Sequence, residues 1–237
     1  MQYLGGKSRL ARQISEALLA DTEARGRLVE PMVGGGSMLA KLAPHFAAVE
    51  AGDAQRDLVM MWEALQQGWD PPTHVSEEEW RALRDGAPSP LRAFAGFGCS
   101  FGGRFFGGYA RGAATSPNFA AQAARRLSPI ADELRARPVW FEHCDYAAWT
   151  IRPGDVVYLD PPYAGTTPYT ASRSGLERFD HVRFWNIAEE WRASGAHVYV
   201  SEFTAPSGWD VVWEKQRTTG VGGYNPERAT RVDRLFR

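Results

Sequence analysis

Residues 27–42 carry the sequence RLVEPMVGGGSMLAKL, which changes from a short apolar run to three consecutive glycines and then to a helical apolar pattern. The pattern predicts a strand at 27–30 that Pro31 ends, since proline lacks the N–H group that a strand ladder uses. The turn at 34–37 then leads into a helix, and its glycines let the backbone approach a ligand. The stretch is typical of the first strand–turn–helix unit of an α/β protein.

The rest of the chain continues this alternation of strands and helices. Further strands are predicted at residues 46–53, 139–141, 156–159, 198–200, 211–214 and 232–236. Helices are predicted from Leu10 to Leu18, with Ser8 as the capping residue, and at residues 58–65 and 184–191. Such an alternation predicts an open, mainly parallel, doubly wound α/β sheet.

A change of composition interrupts the pattern after the second strand–helix unit. Two prolines at 71–72 break the periodicity, and helical pieces then flank a block of glycines and aromatic residues before Pro138. We therefore predict a small, mostly helical inserted domain at residues 68–138. The catalytic domain would consist of residues 1–67 and 139–237.

Two familiar phosphate-binding motifs resemble the glycine turns but fail at a required position. A dinucleotide-binding fingerprint needs a glycine three positions after Gly36, where Leu39 stands. Residues 5–8 resemble the end of a P-loop, but the glycine that this motif needs is replaced by Met1. A glycine turn without any ligand remains an alternative.

Asp53 follows the second predicted strand, 19 residues after Gly34. In doubly wound sheets, a carboxylate at this place binds the ribose hydroxyls of an adenosine-containing ligand. The competing interpretation is a cap for the helix that follows, and one carboxylate can serve in both roles.

The tetrapeptide Asp160-Pro161-Pro162-Tyr163 directly follows the buried strand at 156–159, at the sheet edge where ligands bind in α/β proteins. An amino group on a nucleobase is a poor nucleophile because its lone pair is delocalised into the ring. The Asp160 carboxylate and the Pro161 carbonyl could each accept one amino hydrogen and so direct the lone pair at an electrophile. The prolines stiffen the loop, and stacking of the base on Tyr163 contributes about 1–3 kcal/mol.

The inserted segment has a charge asymmetry, because Gly86 to Ile130 contains five arginines and no acidic residue in a chain of net charge -1. These arginines are Arg92, Arg104, Arg111, Arg125 and Arg126. Seven aromatic residues lie among them, a combination that suits a surface for phosphates and bases. The alternative is a positive region that packs on an acidic part of the same protein.

Composition excludes several classes of protein. With 44% hydrophobic residues the chain can form a core, it has no apolar run of about 18 residues, and we expect no secretory signal. Cys99 and Cys144 are too few for a disulfide framework or a four-cysteine zinc site, so we expect free thiols in a reducing cytoplasm. The five scattered histidines give no reason to expect a metal.

Several motifs occur along the chain in a fixed order, namely Tyr3 to Lys7, Val29 to Ser37, Asp53, Asp57-Leu58, Asp145-Tyr146, Asp160 to Tyr163 and Arg231 to Phe236. This ordered set resembles the DNA adenine methylase (Dam-like) family of N6-adenine methyltransferases, in particular its small phage-borne members. The resemblance implies the class I methyltransferase fold, S-adenosyl-L-methionine as methyl donor, and an inserted target-recognition domain.

The resemblance also implies a role for each matching residue. It implies that Tyr3 and Lys7 contact the methionine end of the cofactor, Asp53 the ribose, and Asp145 with Tyr146 the adenine. The full set of implied cofactor residues is Tyr3, Lys7, Glu30, Pro31, Gly34, Gly36, Ser37, Asp53, Asp145, Tyr146 and Asp160. Tyr3 replaces the tryptophan of many members, and residues 97–111 depart from the recognition hairpin of the GATC-specific ones.

We therefore expect a DNA adenine N6-methyltransferase that binds double-stranded DNA, flips the target base, and works in the cytoplasm of a bacterial or phage-infected cell. Catalysis would come from Asp160, Pro161, Pro162 and Tyr163, with the five arginines on the DNA. One rival is a cytosine N4-methyltransferase, because the same tetrapeptide serves either amino group. Another is a catalytically silent DNA-binding module, and the oligomeric state stays open, a monomer included.

Overall fold

The computed structural model describes residue 3 and residues 5–111, 118–164, 179–219 and 229–237. The strands within them are β1 (Arg27–Glu30), β2 (Ala48–Asp53), β3 (Trp140–His143), β4 (Val156–Leu159), β5 (His197–Glu202), β6 (Val211–Thr219) and β7 (Ala229–Phe236). They form one seven-stranded sheet in the order β3-β2-β1-β4-β5-β7-β6. Strands β1 to β5 are parallel, and β7 runs antiparallel to both β5 and β6.

Helices connect these strands. They are α1 (Ala11–Asp21), α2 (Leu39–Leu42), α3 (Arg56–Gln66), α4 (Glu77–Arg84), α5 (Pro90–Ala93), α6 (Phe119–Ala136) and α7 (His181–Ala193). The alternation confirms the prediction of an open, mainly parallel α/β sheet. No helix in the described ranges combines the length and the apolar composition that crossing a membrane requires.

The chain reverses its direction across the sheet between β1 and β4. It moves outward from β1 to β2 and β3, then returns to place β4 on the other side of β1, where Leu28 pairs with Val156. The carboxyl edge beside such a switch point is open to ligands, because the connections on its two sides diverge. Glu30 ends β1 and Asp160 follows β4, so both lie at this edge.

The two faces of the sheet bury separate hydrophobic clusters, since successive side chains of a strand point to opposite faces. Leu28 and Tyr158 pack with the residues of α1, α3 and α6, whereas Val29 and Val157 pack on the other face with Phe184 of α7. All five side chains are fully buried. Full burial contributes about 1.5–3 kcal/mol for each large apolar side chain, which holds the layers together.

The segment predicted as an insert packs directly against α3. Its helices α5 and α6 contact α3. The hydrophobic cluster that contains residues of α1, α3 and α6 also includes Phe94, Phe97 and Phe106. These rings were expected at a surface for bases, and the structure corrects that expectation for the three of them, because they are at most 3% exposed. Phe101 differs from them and is 76% exposed.

Most predicted elements occur at or near their expected positions, with differences at the ends. The prediction of Ser8 as a helix cap is wrong, because α1 begins at Ala11 and its preceding residue makes no side-chain cap. The backbone carbonyl of Lys7 instead accepts from the N–H groups of Leu10 and Ala11, each at 2.7 Å, so this turn already satisfies them. The sequence also predicts a glycine-rich loop at 219–223, of which residues 220–223 lie outside the described residues.

Candidate active site

Carboxylates stand at the ends of four neighbouring parallel strands. Glu30 and Glu202 are the last residues of β1 and β5, Asp53 ends β2, and Asp160 follows β4. Because the carboxyl ends of parallel strands meet at one edge, the sheet brings together four acids that are separated by up to 172 positions in the chain. This edge is the candidate active site.

The glycine turn after β1 is shaped by close packing. Gly34 and Gly36 have φ of +44° and +68°, where a side chain is strained. A Cβ atom on Gly34 would lie 2.9 Å from the ring of Tyr3, and one on Gly36 would lie 2.7 Å from the ring of Trp62. Trp62 also donates from Nε1 to the carbonyl of Gly34 at 3.1 Å, so the turn is held from both sides.

Glu30 is a buried acidic residue with a carboxyl oxygen that lacks a hydrogen-bond partner among the described residues. Its side chain is 2% exposed, and the oxygen in question is Oε2. Burial, followed by the nearby charges of Asp160 and Asp53, raises the pKa of Glu30 well above its ordinary value. A buried acceptor without a partner is costly, and a cationic or hydrogen-bond-donating ligand would remove that cost. Pro31 is buried beside it, and Ser37 is half-buried at the end of the turn.

Asp53 ties the glycine turn to the start of α3. Its Oδ2 accepts from the N–H of Gly34 and its Oδ1 from the N–H of Gln55, both at 2.9 Å. The helix begins at Arg56 with Gln55 as its cap residue, so Asp53 is not the cap itself. Burial raises the pKa of Asp53 to about 6, against the two backbone hydrogen bonds and the charge of His143, which lower it. Each oxygen retains a lone pair for a ligand.

Lys7 joins the N-terminal segment to the candidate catalytic loop. Its ammonium group donates to Asp160 Oδ1 and to the Gly5 carbonyl at 3.3 Å, although the side chain is only 6% exposed. Burial raises the pKa of Asp160, whereas the charge and hydrogen bond of Lys7 lower it. The same ammonium lies 4.4 Å from the centroid of the Tyr163 ring. Lys7 thus contacts both ends of the tetrapeptide 160–163.

Asp145 and Tyr146 lie beyond the end of β3 and contact α7. Asp145 accepts from the N–H of Ala147 at 2.9 Å and from Nη2 of Arg183 at 3.1 Å. The Arg183 guanidinium also lies 5.5 Å from the ring centroid of Tyr146, which is buried. The register of β2 and β3 pairs Asp53 with His143, so Asp145 follows two residues after the neighbour of Asp53.

The five arginines of the insert fall into two groups. Arg92 is half-buried, and its Nη1 donates to Asp57 at 2.6 Å while its Nε donates to the Leu83 carbonyl at 3.0 Å. This position differs from the expected DNA contact and matches the alternative of an internal acidic partner. The other four arginines are exposed, namely Arg104, Arg111, Arg125 and Arg126. Among them, Arg111 also forms an ion pair with Glu77.

Two residues at the end of β5 were not among the predicted site residues. Glu202 accepts from the N–H of Ala164 at 2.6 Å, and the ring of Phe203 lies 4.5 Å from that of Tyr163. A signal for Glu202 was present in the sequence, since it follows an apolar strand as Asp160 does. Phe203 carries no such signal, because an aromatic residue after a strand is common in cores.

Comparison with solved structures finds chains of similar length. The yhhF protein of Escherichia coli is 15% identical with a TM-score of 0.43, over 99% of this chain and 87% of that chain. An rRNA methylase of Streptococcus thermophilus is 10% identical with a TM-score of 0.38, over 94% of each chain. No curated protein matches the chain.

A family model does match the N-terminal part of the chain. Residues 3–84 fit the model of the D12 class N6 adenine-specific DNA methyltransferase family. The matched segment includes Tyr3, Lys7, the glycine turn and Asp53, which the structure gathers at and beside the carboxyl edge of the sheet. This N-terminal part of the chain is therefore similar to the D12 class N6 adenine-specific DNA methyltransferases.

Proposed function

We propose that the protein transfers the methyl group of S-adenosyl-L-methionine to the N6 amino group of an adenine in double-stranded DNA. The observation that carries the proposal is the position of Asp160. Its carboxylate follows β4 at the switch point of the sheet, beside Glu30 and in contact with Lys7. Such an edge offers a cofactor and a target amino group a shared site.

The residues at the edge suit the chemical groups of this cofactor. Glu30 offers a buried carboxylate oxygen without a partner to the ammonium group, and Asp53 offers lone pairs to the ribose hydroxyls. Lys7 would pair with the carboxylate of the methionine end, and Tyr3 covers the glycine turn. Asp145 and Tyr146 would contact the adenine end. When bound, the cofactor supplies an electrophilic methyl group on a sulfonium.

The chain's own residues would orient the acceptor nitrogen. Asp160 and the Pro161 carbonyl each accept one hydrogen of the amino group, which concentrates the lone pair on nitrogen. Pro161 and Pro162 restrict the backbone, so the acceptors are held in position before the base arrives. Tyr163 stacks on the flipped base, and flipping itself costs a few kcal/mol.

The exposed arginines would contact the DNA. Arg104, Arg111, Arg125 and Arg126 point to solvent, and Phe101 is exposed three residues before Arg104. Guanidinium groups bind phosphates and guanine edges, and an exposed ring can stack on a base. Because Arg92 is held by Asp57, we leave it out of the proposed DNA surface.

Methylation of DNA that lacks modified bases tests the proposal. Wild type should convert adenine to N6-methyladenine, which digestion to nucleosides followed by mass spectrometry detects. Asp160→Ala should abolish the product while the protein stays folded and monodisperse. Asp70→Ala is the matched control, because that aspartate side chain is 90% exposed. Near-wild-type turnover by Asp160→Ala would refute the catalytic assignment.

The same experiment separates the two rival functions. N4-methylcytosine among the nucleosides would identify a cytosine methyltransferase, since the tetrapeptide chemistry serves either amino group. A silent DNA-binding module would yield neither product. Calorimetry would then also show no binding of S-adenosyl-L-methionine.

A further inference from the structure

The ring of Tyr163 is held between side chains from two distant parts of the chain. The Lys7 ammonium lies 4.4 Å from its centroid. The Phe203 ring lies 4.5 Å away, with the two ring planes at 88°. Such a perpendicular pair is a favoured aromatic geometry, and it restrains the plane of the Tyr163 ring.

Glu202 accepts hydrogen bonds from backbone N–H groups next to both rings, those of Ala164 and Phe203. Its side chain is 1% exposed. Oε1 accepts from the N–H of Ala164 at 2.6 Å, and Oε2 accepts from the N–H of Phe203. Burial raises the pKa of Glu202, against the two backbone hydrogen bonds, which lower it. One carboxylate therefore joins the residue after Tyr163 to the residue that contacts its ring.

Phe203 is itself held by the antiparallel strand β7. The Arg231 guanidinium lies 5.2 Å from the Phe203 ring centroid. Arg234 donates from Nη1 to the Phe203 carbonyl at 2.5 Å and from Nε to Glu214 at 3.1 Å. The ring and the backbone of Phe203 thus have separate anchors on β7, which makes Phe203 a rigid support.

We propose that Glu202 and Phe203 are positioning residues that set the orientation of Tyr163 for the target base. The inference rests on the proposed function, in which Tyr163 stacks on the flipped adenine. Neither residue touches the reacting atoms. Each acts through Tyr163, so its loss should slow methyl transfer at saturating substrates and leave cofactor binding unchanged. Misplacement of a reacting group by about 1 Å can cost about 100-fold in rate.

The test uses Phe203→Ala and Glu202→Gln, with Trp185→Ala as the matched control. Trp185 is also half-buried and packs at 68° on the ring of Trp209, 5.0 Å away, so its loss removes a comparable aromatic pair. For each protein we would measure the single-turnover methylation rate, the cofactor dissociation constant by calorimetry, and the melting temperature. Phe203→Tyr, which retains the ring, is the conservative variant.

We expect Phe203→Ala and Glu202→Gln to slow methylation roughly 10- to 100-fold, with cofactor dissociation constants within about twofold of wild type. Trp185→Ala should keep the wild-type rate, and Phe203→Tyr should restore most of it. Wild-type rates in both Phe203→Ala and Glu202→Gln would overturn the inference. The inference would also be overturned if cofactor binding weakened and the melting temperature fell along with the methylation rate, because that result indicates a purely structural role.

Failure of the proposed function gives a different result from failure of this inference. If wild type forms no methylated base, the proposed function fails and the inference falls with it. If wild type forms N6-methyladenine and the variants match it, only the positioning role is refuted.

Discussion

Replacement of Arg92 by methionine should destabilise the protein without a direct effect on DNA contacts. Arg92 is 13% exposed and Asp57 is 3% exposed, and their ion pair is 2.6 Å long. Breaking a buried pair on one side typically costs 3–5 kcal/mol. Asp57 would keep two donors, the Ser89 N–H at 3.0 Å and Gln55 Nε2 at 3.2 Å. We therefore expect the lower end of that range, about 3 kcal/mol.

Urea and thermal unfolding would measure this loss, which corresponds to a fall in melting temperature of roughly 6–12 °C. Arg104→Met is the matched control, since that exposed arginine should change stability by no more than about 0.5 kcal/mol. The double variant Asp57→Asn, Arg92→Met should cost less than the sum of the single variants, because the two side chains interact directly. A melting temperature of Arg92→Met within about 2 °C of wild type, or weakened DNA binding at unchanged stability, would contradict this assignment.

Three further results are expected. Asp53→Asn should remove a pH dependence of the free energy of unfolding. The pKa of Asp53 in the folded protein is about 6, above the ordinary value near 3.9. The contribution of Asp53 to stability is therefore complete below about pH 4 and is lost as pH rises to about 6. Unfolding of wild type and of Asp53→Asn across this pH range would test the prediction. A difference in unfolding free energy between the two proteins that stays the same at every pH would contradict it. Gly36→Ala should destabilise more than Gly68→Ala, because both have positive φ but only a Cβ on Gly36 meets a ring, that of Trp62 at 2.7 Å; equal losses of unfolding free energy would exclude this packing effect. Arg104→Ala should weaken DNA binding and reduce its salt slope by about one if that arginine contacts a phosphate, with cofactor affinity unchanged, and salt-dependent titrations showing wild-type binding would remove it from the DNA surface.

Much of the fold follows from local sequence patterns. Apolar runs such as 156–159 must be buried on both faces, and helices between them require a parallel sheet. A parallel sheet places the carboxyl ends of its strands at one edge, so Asp53 and Asp160 could be located from their positions after strands, whereas Glu30 was expected from the family resemblance. The period of the apolar pattern and the parallel direction of the strands therefore suffice to place Asp53 and Asp160 at one edge.

The partners of the charged residues were decided only by the tertiary structure. Arg92 and Arg104 both lie in the acid-free stretch from Gly86 to Ile130, yet Arg92 is paired with Asp57 and Arg104 is exposed. A count of aromatic residues likewise does not distinguish Phe106, which is fully buried, from Phe101, which is largely exposed. Burial depends on which surfaces the folded helices bring into contact.

The sequence by itself thus determined the strand–helix order, the sheet edge of the candidate site, and three of the four acids at that edge, Glu202 being the one it did not predict. Only the tertiary structure decided that Lys7 contacts Asp160 and that Phe203 contacts Tyr163. The physical reason is the range of the interactions. Periodicity reports whether a side chain faces the core within a few residues, whereas an ion pair or a ring contact joins residues 153 positions apart, as for Lys7 and Asp160, once the chain has closed on itself.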